Sequence, residues 1–334
     1  MRGPHTVKRF SRFPSHLFPH LFLLLLGAAL TAGAAAGTPA PAPVMKVHDL
    51  ASGFTTVFDR NAGKPDADFL QDFKASVASR LPGFYGAERF EGRRSAEQRD
   101  ADLAKARAEF PAMRDAYMKK VARFTQDLPA HIASFRAAFP DYPAATDVWF
   151  LHSLGEMDGG TRNIDGKVYF IFGADVMVKV HGDGDEAAFF HHELFHDYHD
   201  MGCKSEPIWA SLWNEGLATY VAKRMNPSAN DAELLLDFPR NLVADTRKEL
   251  QRALDDVQGK LDSEDQAVYA GLFYGSGNDG TGLPARRGYY LGYLVAEEVG
   301  KGMSMQQMAK LDCGAARTAV LGAVDKLRAA HAGR

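Results

Sequence analysis

Residues 192–220 constrain this chain more than any other stretch, because they ask two helices to face one another. His192 and His196 stand four apart in His191-His192-Glu193-Leu194-Phe195-His196, the pattern HExxH. On a helix, two histidines at i and i+4 project from one face, close enough to share one zinc ion. Glu193 then points beside the metal, where it can take a proton from the water that the metal activates. A catalytic zinc usually has three protein ligands and a water. Glu215, in Trp213-Asn214-Glu215-Gly216-Leu217-Ala218, follows His196 by nineteen residues and is the candidate third. The motif helix is expected from about Glu186 to Met201, with Gly202 as its stop. Pro207 should open the second helix, which carries Trp209, Leu212, Trp213 and Glu215 to about Arg224.

The first 36 residues are of a different kind. Arg2, Lys8, Arg9 and Arg12 come before an apolar run from Leu21 to Leu30, and small residues follow from Ala32 to Ala36. This pattern reads as a secretory signal peptide, 1–36, cleaved near Ala34 or Ala36. The rival reading, a retained membrane anchor, needs a longer run than this one, about 20 residues. The Pro/Ala segment 37–43 should be an extended linker, and 44–332 one continuous domain. No later segment is long and apolar enough for a stable membrane span. Loss of the leader takes four positive charges from a formal −3 and leaves −7. No basic block then remains to bind nucleic acid, so peptides, proteins or small molecules are the expected partners. A periplasmic or secreted protein can keep a disulfide. Cys203 and Cys313 are either such a bond or two buried thiols; neither is needed as a metal ligand.

The domain, 46% hydrophobic and 24% charged over the whole chain, has ordinary globular composition. Residues 66–139 read as mostly helical, with Phe69, Phe73 and Val77 at helical spacing and Pro111, Pro129 and Pro140 as punctuation. Val148–Leu151 and Val168–Phe172 read as strands, Gly155–Gly160 as a turn, and Val176–Val180 as a third strand. Residues 231–332 are again mostly helical, with a Gly-rich loop at 275–287. Strands in one block between helices indicate an α+β fold.

The metal pattern resembles that of the gluzincin metallopeptidases, most closely the zinc aminopeptidase branch. That branch has HExxH, eighteen intervening residues, then glutamate in a W-x-N-E-G-F-A-like context; here residues 197–214 are the eighteen and Leu212-Trp213-Asn214-Glu215-Gly216-Leu217-Ala218 is the context. The resemblance implies a zincin-like fold, with a small sheet beside the motif helix. It implies His192, His196 and Glu215 as ligands of Zn2+, and Glu193 as general base. It also calls for a tyrosine followed three residues later by glycine. Arg287-Gly288-Tyr289-Tyr290-Leu291-Gly292 supplies one, making Tyr289 the donor to the oxyanion, with Tyr290 as the alternative. The branch's upstream G-x-M-E-N step has only a loose echo in Gly155-Glu156-Met157-Asp158-Gly159. The chain is also far shorter than the branch's multidomain build, so the resemblance is to a minimal, signal-bearing gluzincin.

Other residues have two readings each. His191 is rotated off the ligand face and should pack or meet solvent, while His199 can line the cleft. Asp197 and Asn214 either orient a ligand or are simply solvated. His152 and His181 should meet solvent or backbone. Val168–Phe172 is either an edge strand that pairs with extended substrate or a buried core strand. Arg286 and Arg287 either hold a substrate carboxylate or belong to a solvated loop. The expected function is that of an exported zinc metallopeptidase. The alternatives are a zinc-holding peptide- or partner-binding module without turnover and a zinc hydrolase of a non-peptide bond.

Overall fold

A computed structural model describes residues 45–332. The expected leader and linker lie outside the described residues. The chain runs through β1 (Val47–Asp49), α1 (Ala51–Arg60), α2 (Asp66–Ser76), α3 (Pro82–Tyr85) and a long α4 (Ala96–Ala138). Strands β2 (Val148–Leu151), β3 (Gly159–Ile164) and β4 (Lys167–Gly173) follow. The helices after them are α5 (Ala174–His181), α6 (Ala187–Tyr198), α7 (Ile208–Met225), α8 (Leu242–Lys248), α9 (Leu250–Gln258), α10 (Gln266–Phe273), α11 (Arg287–Val299), α12 (Met305–Met308) and α13 (Cys313–His331). The class is α+β: one small sheet inside a mostly helical body.

The sheet has the order β1-β2-β4-β3, with β1, β2 and β4 parallel and β3 antiparallel to β4 at the edge. Val168–Phe172 is therefore a central strand, paired on both sides, and its expected alternative as a substrate-pairing edge is corrected; β3 holds the edge. The expected turn at Gly155–Gly160 runs into β3 at Gly159. The expected third strand, Val176–Val180, lies in helix α5 instead. Its apolar run matches a short amphipathic helix as well as a strand, and only packing on α4 decides between them.

Helix α4 is unbroken for 43 residues despite Pro111 and Pro129. Ser95 and Gln98 close its N-terminus as a reciprocal capping box. Both prolines are on the exposed side, where the carbonyls they leave free can turn to water. The opposite side buries Leu103, Phe110, Tyr117, Phe124, Leu128 and Phe135. That burial continues past each proline and offsets a cost of about 3 kcal/mol for each. Phe124 stacks on Phe150 of β2 with ring centroids 3.8 Å apart, so α4 covers one face of the sheet.

Helices α6 and α7 occupy the centre. Alternation fails in both because they are buried nearly all round: α6 buries every residue from Ala188 to Phe195, and α7 buries twelve of its eighteen. Phe189 and Phe190 of α6 pack on Phe172 of β4. Lys120 of α4 reaches Glu186 at the head of α6, Nζ to Oε1 2.6 Å, both side chains buried. The motif helix ends at Tyr198, short of Met201, and Gly202 lies in the loop beyond it, at φ +65°. Pro207 caps α7 as expected. A disulfide joins Cys203 in that loop to Cys313 at the head of α13, Cα to Cα 5.1 Å. No helix among the described residues is long and apolar enough to cross a membrane.

Candidate metal centre

Helix α6 projects His192 and His196 from one face, and α7 brings Glu215 to them. The two Nε2 atoms lie 3.0 Å apart. Glu215 Oε2 is 3.4 Å from His192 Nε2 and 3.5 Å from His196 Nε2. Ligand atoms at zinc bond lengths in a tetrahedron are roughly 3.3 Å apart. The three edges bracket that value, and two lone-pair nitrogens with one carboxylate oxygen are the donor types zinc takes. The residues present fit such an ion.

The titration behaviour of the bare triad follows from its geometry. Although burial works to raise it, the His196 and His192 imidazoles hold the Glu215 carboxyl well below the usual range. Against burial, the Glu215 carboxylate holds His196 up at about 9. Burial pushes His192 down. Thr219, one turn after Glu215 on α7, donates its hydroxyl to the Glu215 carbonyl at 2.8 Å. Its oxygen lies 3.5 Å from His192 Nδ1 and can only accept there. The Nδ1 proton is thereby held on Thr219 and the Nε2 lone pair is left for a metal. Sequence reasoning passed over Thr219; its place at i+4 from Glu215 was the available signal.

Glu193 is buried beside the triad, against the start of the edge strand. A Cβ at Gly159 would lie 3.1 Å from Glu193 Cγ, and one at Gly160 would lie 3.5 Å from Oε2. Gly160 has φ +129°, a conformation side chains rarely adopt. Burial, opposed by His196 and reinforced by Asp158 and Glu215, pushes the Glu193 carboxyl up to about 8. Asp158 is held by His181, Oδ2 to Nε2 3.1 Å. His181 thus meets a carboxylate rather than solvent or backbone. His152 has the expected backbone partner: buried in the core, its Nδ1 accepts from the Leu154 N–H at 3.2 Å, with the Asp175 carboxylate 3.5 Å away.

These groups open on one cavity of about 560 Å³. Glu156, Met157, Asp158 and Gly159 all line it, so the loose upstream echo lies at the site. Tyr289 lines it too, from the first turn of α11. Burial, with the Glu215 carboxylate adding to it, keeps the Tyr289 hydroxyl protonated well above its ordinary value, so it remains a donor. Tyr290 faces elsewhere: its side chain is buried beside Ala188, Ala222 and Val243, and its oxygen accepts from Arg247 Nε at 2.6 Å. Adjacent residues on a helix point about 100° apart, and here only the first meets the cavity.

The two arginines separate as well. Arg287 is fully buried and donates to Asp256 at 2.7 Å and to Asp279. It belongs neither to a solvated loop nor to a substrate anchor, and that expectation is corrected. Arg286 lines the cavity. Asp197 accepts from the Tyr142 hydroxyl at 2.6 Å and does not orient a ligand. Asn214 and His199 line the cavity. Burial pushes His199 down to about 4, and its ring stacks on Phe195. His191 packs away from the centre, Nε2 2.7 Å from Ser134 Oγ and Nδ1 2.8 Å from Asn226 Nδ2.

No protein-family model, no curated protein and no solved structure matches this chain.

Proposed function

We propose that the chain is an exported zinc-dependent peptidase, a minimal gluzincin with a zincin-like arrangement of sheet and motif helix. The observation that carries this reading is the convergence of His192, His196 and Glu215 at 3.0–3.5 Å beside a buried glutamate. An ion that only braced the fold would have no use for Glu193, whose carboxylate makes no ion pair among the described residues and opens on the cavity. The leader-like residues 1–36 and the Cys203–Cys313 disulfide support export to an oxidising compartment.

When bound, zinc would act as a Lewis acid on the scissile carbonyl and make a water nucleophilic at neutral pH. The chain supplies the rest. Glu193 accepts the proton of the attacking water and returns it to the leaving amine, a shuttle suited to a carboxyl raised toward neutrality. Gly159 and Gly160 keep its carboxylate pressed against the strand, because neither carries a side chain to displace it. The Tyr289 hydroxyl donates to the carbonyl oxygen as negative charge develops there. Strand β3 is the sheet edge, with no further strand beside it among the described residues, and an extended peptide can add there once the Arg162 side chain leaves the Thr161 carbonyl.

The test is metal analysis and peptide cleavage on the exported protein. Wild type should hold about one zinc per chain and cut a mixed peptide library. Glu215→Ala should lose zinc, since two ligands bind it far more weakly than three. Glu193→Gln should keep zinc and lose at least ~10²-fold in turnover, because the amide cannot accept the proton. Near-normal cleavage by Glu193→Gln removes the mechanism; full zinc in Glu215→Ala removes the third ligand.

A further inference from the structure

The lining of the cavity is of two kinds. The part contributed by β3 and the loop after α6 is mostly polar, with Arg162, Asp200, Ser205 and Glu206 beside Met201 and Cys203. The part contributed by the loop after α7, by α10 and by α11 is apolar and aromatic: Leu235, Tyr269 and Tyr289, with Arg286 among them. This second part continues outward onto two half-exposed rings. Phe238 is 50% exposed and Tyr274 53% exposed, two of only three large apolar side chains at least half exposed among the described residues. They are tied to the cavity by direct contacts. The Arg286 guanidinium lies 4.1 Å from the Tyr289 ring centroid and 5.4 Å from that of Phe238. Tyr274 meets Tyr269 edge to face at 5.6 Å. The Phe238 ring rests against Gly275, the neighbour of Tyr274, 2.7 Å from where a Cβ would be.

The backbone here is strained at two points. Leu235 and Arg286 both have left-handed φ, +56° and +61°, which costs a side-chain-bearing residue of order 1 kcal/mol or more. The two are hydrogen-bonded to each other, Arg286 Nη1 to the Leu235 carbonyl at 3.2 Å, and Arg286 also holds the Phe238 carbonyl at 3.1 Å. Leu234 and Leu236 go into the core, while Leu235 turns to the cavity. Leu235 is only partly covered by the core it packs on and also lines the cavity, and beside it two rings are left half bare. Strain of this kind, held in place by surrounding contacts, clusters at ligand-binding sites.

We propose that Leu235, Phe238, Tyr274 and Arg286 form a substrate subsite for an aromatic side chain of the peptide, next to the bond being cut. This rests on the peptidase reading above. Two rings and a leucine are too small a patch for a protein interface of roughly 1,200–2,000 Å², and they match one large side chain. Aromatic rather than aliphatic residues fit best, because ring edges and a guanidinium favour a π face. Arg286 also acts as the positioning residue: it holds the loop carbonyls with one nitrogen while its plane lies against Tyr289.

The experiment uses two peptide series that differ only in Phe, Leu, Ala or Asp at the residues flanking a cleaved bond. Binding is measured on zinc-loaded Glu193→Gln and cleavage on wild type. Phe peptides should bind at least about tenfold more tightly than Ala peptides, the scale of discrimination a hydrophobic pocket gives. Phe238→Ser and Tyr274→Ser, each placed in the Glu193→Gln background, should pull that ratio toward one. Both side chains are half exposed, so the folded protein should survive, with zinc content as the check. A ratio near one in Glu193→Gln alone, or a ratio untouched by both added changes, overturns the subsite. If wild type cleaves peptides with no aromatic preference, the subsite falls and the peptidase stands. If wild type cleaves nothing while the binding preference and its loss remain, the peptidase reading falls and the subsite stands.

Discussion

Gly216 of α7 and Gly292 of α11 pack backbone against backbone. A Cβ on Gly292 would lie 3.0 Å from the Gly216 Cα, and one on Gly216 would overlap the Gly292 carbonyl. The pair explains in physical terms two patterns that read as separate in the sequence. Gly216 follows the candidate ligand Glu215, and Gly292 follows Tyr289 by three residues. Their contact lets the two helices cross closely enough for Glu215 and Tyr289 to open on one cavity.

Gly216→Ala and Gly292→Ala should each destabilise the protein by about 1–3 kcal/mol. The change runs against helix propensity, which favours alanine by about 1 kcal/mol, so a net loss isolates the contact. Zinc content should fall as well, because Glu215 moves with α7. Denaturant midpoints and metal stoichiometry check both, and an alanine variant as stable as wild type would show that the helices are free to separate.

Tyr289→Phe should lower kcat by ~10² to 10³, with zinc content and fold unchanged. Tyr290→Phe should do the reverse. It removes the acceptor of the Arg247 hydrogen bond and costs about 1–2 kcal/mol of stability, with turnover near normal. Steady-state kinetics and thermal unfolding of the pair decide it. A crippled Tyr290 variant beside a normal Tyr289 variant would reverse the two roles.

Arg287→Met should be among the most damaging single changes outside the metal centre. It leaves Asp256 and Asp279 with Lys260 alone between them, at a cost toward the low end of the roughly 3–5 kcal/mol expected for a broken buried pair. The pH dependence carries a sign. Although burial works to raise it, the Arg287 and Thr281 hydrogen bonds hold the Asp279 carboxyl well below its usual 3.8. A depressed carboxyl stabilises the fold above its unfolded pKa and loses that contribution as pH falls through the folded value. Wild type should therefore lose stability as pH drops below about 4, and Arg287→Met should show a shallower loss. Melting temperatures against pH compare the slopes; equal slopes would detach Asp279 from Arg287.

Exported protein alkylated under denaturing conditions should yield no free thiol, and Cys313→Ser should lower its stability. The bond spans 110 residues of sequence, and closing a loop of that size stabilises by up to ~4–5 kcal/mol. It also anchors the cavity wall, since Cys203 lines the cavity and the Cys313 amide donates to the Met201 carbonyl at 3.0 Å. Two alkylated cysteines in the mass spectrum would dismiss the bond.

The candidate metal triad was legible because its information is local. Histidines at i and i+4 share a helix face whatever surrounds them, and Pro207 marks where the next helix begins. The α+β class was legible too, since the strand-forming residues fall in one block between helical stretches. What sequence left open was always a matter of rotation or order. Tyr289 and Tyr290 are equally aromatic, and Arg286 and Arg287 equally charged; only the seating of α11 against α7 and α10 sends one of each pair to the cavity. Strand β4 has the apolar run of a sheet centre, yet nothing local says that Gly159–Ile164 folds back to take the edge. Val176–Val180 and the prolines of α4 were misjudged for the same reason. Local propensity is worth about 1 kcal/mol per residue for most residues and about 3 for proline. The burial of a single large side chain, at roughly 1.5–3 kcal/mol, rivals it. Sequence by itself determined which atoms can bind a metal and on which helix faces they stand. Tertiary packing decided what else reaches them, because the burial of several side chains together exceeds the local preferences it opposed here.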